Sequence, residues 1–489
     1  MKLPSLLEAK KRTNNKINIV PEGYVLNENY KNLGLGKTYY VKTYGCQMNE
    51  HDSENIKAIL ETMGYKEASE FEKADLILLN TCAIRENAHN KVFGMVGRIK
   101  HLKESRPEVM AGICGCMAQE ESVVEEIMTK YKFLDIVFGT HNINNLPNII
   151  ATSMAKKSLE VEVDSIEGEV YENIPVKRDS KYKAWVNIMY GCDKFCTYCI
   201  VPYTRGKQRS REPKYIIDEV KELVNDGYLE VTLLGQNVNA YGKDLNINYT
   251  MANLLEDVAK TGIKRLRFVT SHPWDFNDEM IDVIAKYDNI MPYIHLPLQS
   301  GSSRILKLMG RRYTKEEYLQ LFNKLKTRIE NVSITTDIIV GFPGETLEDF
   351  NETLDVVNTC KYDSAFTFVF SPRIGTPACK MKDDVSIEEK NQRLYKLNDL
   401  VNKYALEANQ KYLGKTVKVL VEGYSGKDES MLMGYTETMK LVNVKADPKN
   451  IGKIINVKIT DEKTWSMDGE IVDWGEYLWI KIKNQIKVS

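Results

Sequence analysis

A chain of 489 residues is long enough for two to four domains of roughly 100 to 200 residues each. With 43% hydrophobic and 28% charged residues, the composition is that of a globular protein, which excludes wholesale disorder and a collagen-like repeat. Lys and Arg together number 67 against 68 for Asp and Glu, so the net charge of -1 provides no global attraction to nucleic acid. Any RNA binding therefore depends on local basic patches.

The apolar runs and the cysteines bear on the compartment of the protein. The longest apolar runs, such as 76–79, fall far short of the roughly 18 to 20 residues that span a bilayer. The N-terminal sequence MKLPSLLEAKKRTNNK lacks the apolar core and cleavage site of a secretory signal. We therefore expect no membrane segment and a location in the reducing cytoplasm. Nine cysteines in that compartment indicate metal or redox chemistry rather than structural disulfides.

The first folded unit follows a polar N-terminal arm, residues 1–36, that has no sustained periodicity. Over 37–155, apolar runs of roughly four to eight residues alternate with segments of helical periodicity. This alternation predicts βαβ units and a parallel sheet. A charged, weakly patterned stretch at 156–180 is expected to be a linker.

The same alternation resumes on a larger scale over 181–412. Six βα units in series predict either a doubly wound sheet or an incomplete barrel, and the pattern alone favours neither. The predicted strands lie at 184–190, 231–236, 265–270, 293–298, 332–342 and 364–370. The predicted helices lie near 214–225, 251–261, 276–287, 315–330, 346–359 and 387–412.

The hydrophobic period changes to two from residue 413 onward, and Gly and Asp separate the short segments. Several short alternating strands in about 75 residues are typical of a small closed barrel. We place this barrel at 413–485. Its predicted strands are 415–424, 437–446, 451–462 and 476–483.

The strongest chemical signal is a C-x3-C-x2-C loop formed by Cys192, Cys196 and Cys199, directly after the first strand of the middle domain. Zinc normally takes a fourth protein ligand, and no His or Cys lies nearby in the sequence to provide one. Three cysteines do hold three irons of a cubane cluster and leave the fourth iron open to a substrate. The alternative is a structural zinc loop completed by a distant ligand.

A second and less local signal consists of Cys46, Cys82 and Cys116, each of which follows a predicted strand of the first domain. Neighbouring parallel strands lie roughly 4.8 Å apart, so the three thiols come within cluster-binding distance if their strands are neighbours. We therefore expect a second three-cysteine site. The alternative is that each is a small buried residue at a strand end, which is common for free Cys.

The core loop resembles that of the radical S-adenosylmethionine (SAM) enzymes, over most of residues 180–410. Two three-cysteine sets followed by a β-barrel resemble the radical SAM methylthiotransferases, over about 38–485. Within that family, IVPYTRGKQRSR at 200–211, LLGQNVNAYG at 233–242, SHPWDF, HLPLQSGS, TTDIIVGFPGET and SPRIGTPA are similar to the branch that modifies N6-isopentenyladenosine in tRNA. One departure is Tyr435, where the family usually carries Arg, which places one RNA contact in doubt.

The resemblance implies an N-terminal parallel α/β cluster domain, a central partial (β/α)6 radical SAM barrel and a small C-terminal all-β TRAM barrel that binds RNA. It implies two [4Fe-4S] clusters, an auxiliary one on the first-domain cysteines and a SAM-binding one on the core cysteines. In that family the open iron chelates SAM, and electron transfer cleaves SAM to a 5′-deoxyadenosyl radical. No paired catalytic acid and base is required.

The expected reaction inserts sulfur at C2 of N6-isopentenyladenosine next to the anticodon of tRNA and methylates that sulfur. Two alternatives within the same chemistry are methylthiolation of threonylcarbamoyl-adenosine in tRNA and of an aspartate in a ribosomal protein. An alternative of another class is a nonenzymatic iron-sulfur protein that binds RNA through its barrel. We expect tRNA and an electron donor such as a flavodoxin or ferredoxin as partners, no membrane, and a monomer.

Candidate SAM-binding and RNA-binding roles fall on individual loops and cations of the core. By resemblance, the loops at 235–237, 341–345 and 372–377 help hold SAM, and Gln236 and Asp337 are the candidate SAM-binding residues. Alternating cations directly after the core loop are expected to meet RNA phosphates, although a charge run is usually a solvated face. These cations are Arg205, Lys207, Arg209 and Arg211.

The barrel interleaves lysines with aromatic residues, which are the elements of single-strand RNA recognition. Its members are Lys415, Lys418, Lys440, Lys445, Lys453, Lys458, Tyr435, Trp465 and Tyr477.

Five further residues are assigned no ligand role. Cys114 lies two residues from Cys116, but we expect it to be structural. Cys360 and Cys379 have no ligand partner in the local sequence and are expected to be packing residues. His272 and His295 lie at core strand ends and line the cavity or serve as structural histidines, with the second role favoured.

Overall fold

The computed structural model describes residues 19–20, 24–83, 86–163 and 170–472. Most of the predicted arm, a central part of the linker and the predicted strand at 476–483 with Tyr477 lie outside these ranges. Within them, no helix combines the length and the apolar character needed to span a bilayer. The exact domain boundaries stay predictions.

The first domain is a six-stranded parallel sheet with the strand order β3-β2-β4-β5-β6-β7. Its strands, with the short pair β1 and β8 beside them, are β1 (Ile19–Val20), β2 (Thr38–Tyr44), β3 (Lys66–Glu67), β4 (Leu76–Thr81), β5 (Met110–Gly115), β6 (Ile136–Phe138), β7 (Glu160–Glu162) and β8 (Val170–Tyr171). Its helices are α1 (Gln47–Thr62), α2 (Glu86–Ser105), α3 (Glu121–Lys130) and α4 (Leu146–Lys156). The predicted parallel α/β domain is confirmed, and β7 extends its sheet into the predicted linker.

The central strand β4 shows why this sheet forms. All six of its residues are buried, as expected for a parallel strand covered on both faces. Ile77 and Leu79 pack in one apolar cluster, while Leu76 and Leu78 pack in another. Because successive side chains point to opposite faces of a strand, this alternation places one hydrophobic core on each side of the sheet.

The middle domain is an incomplete parallel barrel. Its strands are β9 (Lys183–Asn187), β10 (Met189–Tyr190), β11 (Arg209–Ser210), β12 (Glu230–Leu234), β13 (Arg265–Phe268), β14 (Tyr293–His295), β15 (Ser333–Val340) and β16 (Ser364–Val369). The order runs β9-β12-β13 and β14-β15-β16, and a parallel bridge between Leu266 and Ile290 joins the two halves. Neighbours in space therefore follow chain order without the reversal of a doubly wound sheet, which confirms the partial barrel.

The core helices begin and end close to the predicted positions. They are α5 (Val201–Thr204), α6 (Pro213–Asn225), α7 (Met251–Ala259), α8 (Asp278–Lys286), α9 (Ser303–Leu308), α10 (Lys315–Arg328), α11 (Leu347–Cys360) and α12 (Ile387–Gln410). Capping boxes fix two of the starts, at Thr314 with Glu317 and at Thr346 with Asp349. The short helices α5 and α9 were not predicted, because one turn carries too little periodicity to detect.

The C-terminal domain is a closed five-stranded barrel with the order β17-β18-β19-β21-β20. Its strands are β17 (Thr416–Tyr424), β18 (Leu432–Thr436), β19 (Leu441–Val444), β20 (Ile454–Glu462) and β21 (Met467–Ile471). The predicted closed barrel is confirmed, but β18 and β21 were missed. Each carries a glycine that breaks the apolar alternation, and a Cβ at Gly434 or Gly469 would collide with the neighbouring strand.

A buried arginine fastens this barrel to the core. Arg265 on β13 donates to the backbone carbonyls of Tyr435 and Thr436, at 3.0 and 2.6 Å, and pairs with Glu230 at 3.1 Å. Lys440 is also buried and pairs with Asp363 of the core at 3.3 Å, so it is not one of the RNA-facing lysines. The barrel is therefore packed rigidly against the core rather than tethered by a linker.

Candidate functional site

The first-domain cysteines lie at one edge of the sheet because their strands are neighbours. Strand β2 pairs with β4 and β4 with β5, and the register aligns Tyr44 with Thr81 and Thr81 with Gly115. The cysteines follow these aligned ends by one or two residues. The arrangement that the two-cluster hypothesis requires is therefore present in the sheet.

The three thiols interact with one another and with a cation from the core. A hydrogen bond with Cys82 lowers the pKa of Cys46 to about 5, and the positive charge of Arg205 acts in the same direction. Burial raises the pKa of Cys116 to about 11, although Arg205 opposes this rise. The set therefore combines one acidic thiol with one that burial keeps protonated.

Two asparagines that were not predicted support this set. Asn49 on α1 accepts from Cys46 Sγ at 3.5 Å, and its amide nitrogen donates to Asn80 Oδ1 at 3.1 Å and lies 4.0 Å from Cys116 Sγ. The Asn80 amide in turn donates to the Asn49 carbonyl at 2.8 Å. The signal in the sequence is an amide residue close to each of two cysteines, in CQMN and NTC, but amides are too common for such spacing to be decisive.

A glycine sets the backbone before Cys116. Gly115 has φ +93°, in the region that favours glycine, and a Cβ there would collide with the Asn80 side chain and the Thr81 backbone. Only glycine allows the chain to turn from β5 so closely beside β4. The position of the Cys116 thiol therefore depends on this residue.

We expect Gly115→Ala to lower the free energy of unfolding by about 1 to 3 kcal/mol, because alanine is strained at this φ and meets neighbouring backbone. Urea unfolding monitored by circular dichroism measures the effect. Gly97→Ala is the matched control, since a Cβ there meets open space inside α2, and it should stabilise by about 0.5 to 1 kcal/mol. Equal effects of the two substitutions would contradict this account.

The core cysteines occupy a loop that a short antiparallel pair closes. Strands β10 and β11 pair Met189 with Ser210, and the Cys192 amide donates to the Gly206 carbonyl at 3.1 Å. Gly191, at φ +70°, packs so closely against this returning segment that a Cβ would overlap the Lys207 backbone. The loop is therefore closed at its base, and the three cysteines project from it together.

Other core elements hold the loop in place. The Thr197 amide donates to the Met309 carbonyl at 2.9 Å, and the Thr197 carbonyl accepts from the Ala378 amide at 2.8 Å. The buried guanidinium of Arg311 lies 3.6 Å from Cys196 Sγ. These contacts tie the cysteine loop to the end of α9 and to the turn after β16.

A buried carboxylate anchors the same loop from the other side. The Asp275 side chain is fully buried and pairs with Lys194, inside the cysteine loop, and with Lys243, each at 2.6 Å. Asn237 donates to it at 2.7 Å. Burial alone would raise the pKa of Asp275, but the hydrogen bonds from the two lysines outweigh burial and lower it.

A carboxyl group with a depressed pKa stabilises the folded state above its unfolded pKa of about 3.9, and this stabilisation is lost as the pH falls through the folded value. We expect Asp275→Asn to cost about 1.5 to 3 kcal/mol at neutral pH. The difference from wild type should stay constant between about pH 5 and 8 and shrink below about pH 4. Urea unfolding across this range measures it, with exposed Asp288→Asn as the control. A difference that grew on acidification would contradict the assignment.

The inner wall of the core barrel carries the candidate SAM-binding residue of β15. The Asp337 carboxylate lies 3.3 Å from Nε2 of His295 on β14. Register pairs Asp337 with Phe366 on β16, which is 54% exposed, and Phe368 two residues further on is 45% exposed. The His295 ring also contacts the Phe366 ring, so these side chains share one face of the strands, and we call the space that they face the chamber.

The remaining candidates differ in placement. Gln236 is half-buried in the loop after β12, and its role in binding SAM stays a prediction. His272 is buried and accepts from the Trp274 amide at 3.2 Å, which is the favoured structural role. His295, by contrast, faces the chamber.

The two cysteine sets approach each other across a small apolar contact. Ala83 and Cys116 from the first domain pack with Ile200 and Tyr203 from the segment directly after the core loop, and Phe195 lies against them. Apolar side chains at this junction keep water from the space between the two sets. The two sites therefore belong to one functional region.

Comparison with known proteins agrees with this arrangement. Residues 38–139 match the Uncharacterized protein family UPF0004, residues 186–357 match the Radical SAM superfamily, and residues 410–472 match the TRAM domain. The tRNA-2-methylthio-N(6)-dimethylallyladenosine synthase of Staphylococcus epidermidis is 54% identical over 96% of this chain and 91% of its own length. The enzyme of the same name from Bacillus cytotoxicus is 55% identical over 96% and 92%.

The chain belongs to the tRNA-2-methylthio-N(6)-dimethylallyladenosine synthase family. Among solved structures, the radical SAM methyltransferase TsrM from Kitasatospora setae, with cobalamin and a [4Fe-4S] cluster bound, is 14% identical with a TM-score of 0.49. The match covers 70% of this chain and 77% of that one.

Membership of this radical SAM family implies SAM and a [4Fe-4S] cluster, and the residues of the core loop fit that group. Burial raises the pKa of Cys192, and it raises that of Cys199 to about 12, so both thiols keep their protons in the free chain and would release them only on binding iron. Three cysteine thiolates on one loop are the donor set that would hold three irons of a cubane and leave the fourth open to SAM.

Within this family fold, the basic run after the core loop does not face RNA. Arg205 and Arg211 are buried and ion-paired, with Asp52 at 2.6 Å and with Glu172 at 2.7 Å. Arg209 is also buried, with its guanidinium over the Tyr190 ring. The prediction that these three arginines meet phosphates is therefore wrong, because all three side chains are buried and two of them are ion-paired. Lys207 is partly exposed, and its RNA contact stays a prediction.

The other cysteines have no place in either set. Cys114 is fully buried in the apolar cluster that contains Ile136 and Phe138, whereas Cys116 packs in the cluster at the junction with the core. Cys360 is buried at the end of α11, and Cys379 is exposed after the last core strand. Burial agrees with the packing roles predicted for Cys114 and Cys360, whereas the exposed position of Cys379 does not.

Proposed function

We propose that this chain inserts sulfur at C2 of N6-isopentenyladenosine next to the anticodon of tRNA and methylates that sulfur. The observation that carries the proposal is the approach of two three-cysteine sets across one apolar junction, in a chain more than half identical to synthases named for this product. A nonenzymatic RNA-binding protein would have no need for a second thiol set beside a radical SAM loop.

Each set has a proposed role. The core cysteines hold the [4Fe-4S] cluster that binds SAM, and the first-domain cysteines hold a second [4Fe-4S] cluster. When bound, these groups and SAM supply the radical, the sulfur and the methyl group. The chain itself orients the ligands: Asp337 and His295 present polar atoms to the chamber, while the exposed side chains of Phe366 and Phe368 offer an apolar surface for a ligand.

We propose three further features of the setting in which the protein works. An electron donor such as a flavodoxin or ferredoxin reduces the core cluster, because SAM cleavage consumes an electron that the chain does not supply. The protein acts as a monomer. It works in the cytoplasm, where a reducing environment keeps its nine cysteines as the free thiols that cluster assembly requires.

Nucleoside mass spectrometry of tRNA tests the proposed activity. A strain that lacks this protein should lose the 2-methylthio group and retain N6-isopentenyladenosine, and a plasmid copy should restore it. A copy with Cys192, Cys196 and Cys199 changed to Ala should not. Unchanged tRNA modification in the deletion strain would overturn the proposal.

Nothing favours the two alternative substrates. Loss of a methylthio group from threonylcarbamoyl-adenosine, or from a ribosomal-protein aspartate, in the same deletion strain would select one of them. The relatives described above are named for the dimethylallyl substrate alone.

Two cubane clusters predict about eight irons per chain after anaerobic reconstitution. Replacing Cys192, Cys196 and Cys199 with Ala should remove half of the iron and abolish SAM cleavage. Replacing the first-domain three should remove the other half and leave SAM cleavage intact. Iron analysis and detection of 5′-deoxyadenosine measure the two effects. Full iron in the first-domain triple variant would exclude the second cluster.

The exposed lysines of the TRAM barrel are proposed to contact tRNA phosphates. Lys415, Lys418 and Lys458 are exposed, and β17 and β20 pair beside them. Deleting the whole barrel is a poor test, because Arg265 would lose its two carbonyl acceptors. Substitutions on the barrel surface leave that contact intact.

Changing these three lysines to Gln should weaken tRNA binding and lower the slope of log affinity against log salt by about 2, at roughly 0.7 per lost contact with a single strand. SAM cleavage should stay unchanged. Exposed lysines at the opposite edge of the first sheet, Lys130, Lys132 and Lys157, provide a control with the same charge change. Filter binding at several salt concentrations measures the slope, and equal slopes for both triple variants would contradict the contact.

A further inference from the structure

The guanidinium of Arg205 lies between the two cysteine sets. Its Nε donates to Cys116 Sγ at 3.1 Å, and its Nη2 donates to Asp52 at 2.6 Å. Arg205 belongs to the core, whereas Cys116 and Asp52 belong to the first domain. All three side chains are buried. The first-domain thiol set is thus completed by a cation from another domain.

Burying a guanidinium is costly unless its charge and its donors are matched. Asp52 supplies one full counter-charge through one arm of the guanidinium. The Nε–H group of Arg205 points at the Cys116 sulfur. A sulfur atom matches a cationic donor well only when the sulfur carries negative charge. The contact therefore fits a ligating thiolate better than a structural thiol.

We propose that Arg205 is a positioning residue that raises the reduction potential of the cluster held by the first-domain cysteines. The inference rests on the proposed second cluster. Three thiolates and a cubane carry net negative charge, and reduction adds one more electron to them. A cation that donates a hydrogen bond to a ligating sulfur stabilises the more negative, reduced form.

The surroundings strengthen this effect and link it to the core. The apolar contact of Ala83, Ile200 and Tyr203 covers Cys116, while a small cavity borders Arg205 and Asp52 on the other side. Because the Arg205 side chain is itself buried, its charge beside the sulfur is screened less than it would be at the surface. Only the short helix α5 separates Cys199, in the core set, from Arg205. Docking of the core loop therefore sets both the position of the cation and the potential of the neighbouring cluster.

The experiment uses full-length protein in which Cys192, Cys196 and Cys199 are Ala, so that the first-domain set alone holds iron. A redox titration followed by electron paramagnetic resonance measures its midpoint potential. Arg205→Gln should lower the equilibrium constant for reduction at least tenfold, which is 59 mV more negative for a one-electron couple. Arg205→Lys, which keeps the charge but not the Nε geometry, should give an intermediate potential.

Asp52→Asn separates electrostatics from folding. Removing the carboxylate leaves the Arg205 charge less balanced, so the potential should become more positive, opposite to the effect of Arg205→Gln. If Arg205 had a purely structural role, the two substitutions would not shift the midpoint potential in opposite directions. Arg106→Gln is the control, because it breaks a partly exposed pair with Asp75, at 3.0 Å, elsewhere in the first domain and should leave the potential unchanged.

The outcomes distinguish this inference from the proposed function. A background protein without iron would overturn the two-cluster proposal and this inference with it. Normal iron with the wild-type potential in Arg205→Gln would overturn the inference alone. If Arg205→Gln loses its iron, the potentials of Arg205→Lys and Asp52→Asn decide, and shifts of the same sign in both would overturn it.

Discussion

Parallel strands that pair in register end at one edge of their sheet, and the chemistry of this protein depends on that constraint. It carries Cys46, Cys82 and Cys116 from positions far apart in sequence to one place in the first domain. It also places the core loop at the carboxyl end of the barrel strands. The turns that leave these edges need close backbone approach, which explains the glycines before Cys116 and Cys192.

Buried charged side chains hold the cysteine edge of the first domain against the cysteine loop of the core. Buried ion pairs join the first domain to the core. Arg205 pairs directly with Asp52, and the linker residue Arg178 pairs with Glu54 on one side and with Glu219 of the core on the other. Each charge would be strongly destabilising without its partner, so the pairs specify one docking geometry more than they add stability. A site whose residues come from two domains requires that the domains dock in a single geometry.

Much of this arrangement can be predicted from sequence because it depends on local pattern. Cys192, Cys196 and Cys199 lie within one short segment, so their spacing can be read directly from the sequence. Apolar runs such as β4 and capped helices such as α10 likewise show their periodicity within a single segment. The choice between a doubly wound sheet and a barrel depends instead on which strands pair. No single strand encodes that choice, so it required the structure.

The basic run shows where local pattern misleads. Its alternating arginines have the spacing of a phosphate-binding strand, yet the partners Asp52 of Arg205 and Glu172 of Arg211 come from distant segments. The barrel strand β18 was missed for a related reason, because Gly434 is required by a neighbouring strand rather than by its own segment. In both cases the residue type is determined by contacts with other segments of the folded chain, which a local sequence pattern does not show.

The contact between Arg205 and Cys116 has a consequence for the order in which the protein is made. The two residues are 89 positions apart, and the thiols are synthesised first. At about 5 to 20 residues per second, translation leaves a window of roughly 4 to 18 s in which the first-domain thiols have emerged but their cation has not. During that interval the nascent chain presents an incomplete pocket, open to oxidants and to adventitious metals. For the proposed second cluster, we therefore expect iron loading after the core has been synthesised and has docked.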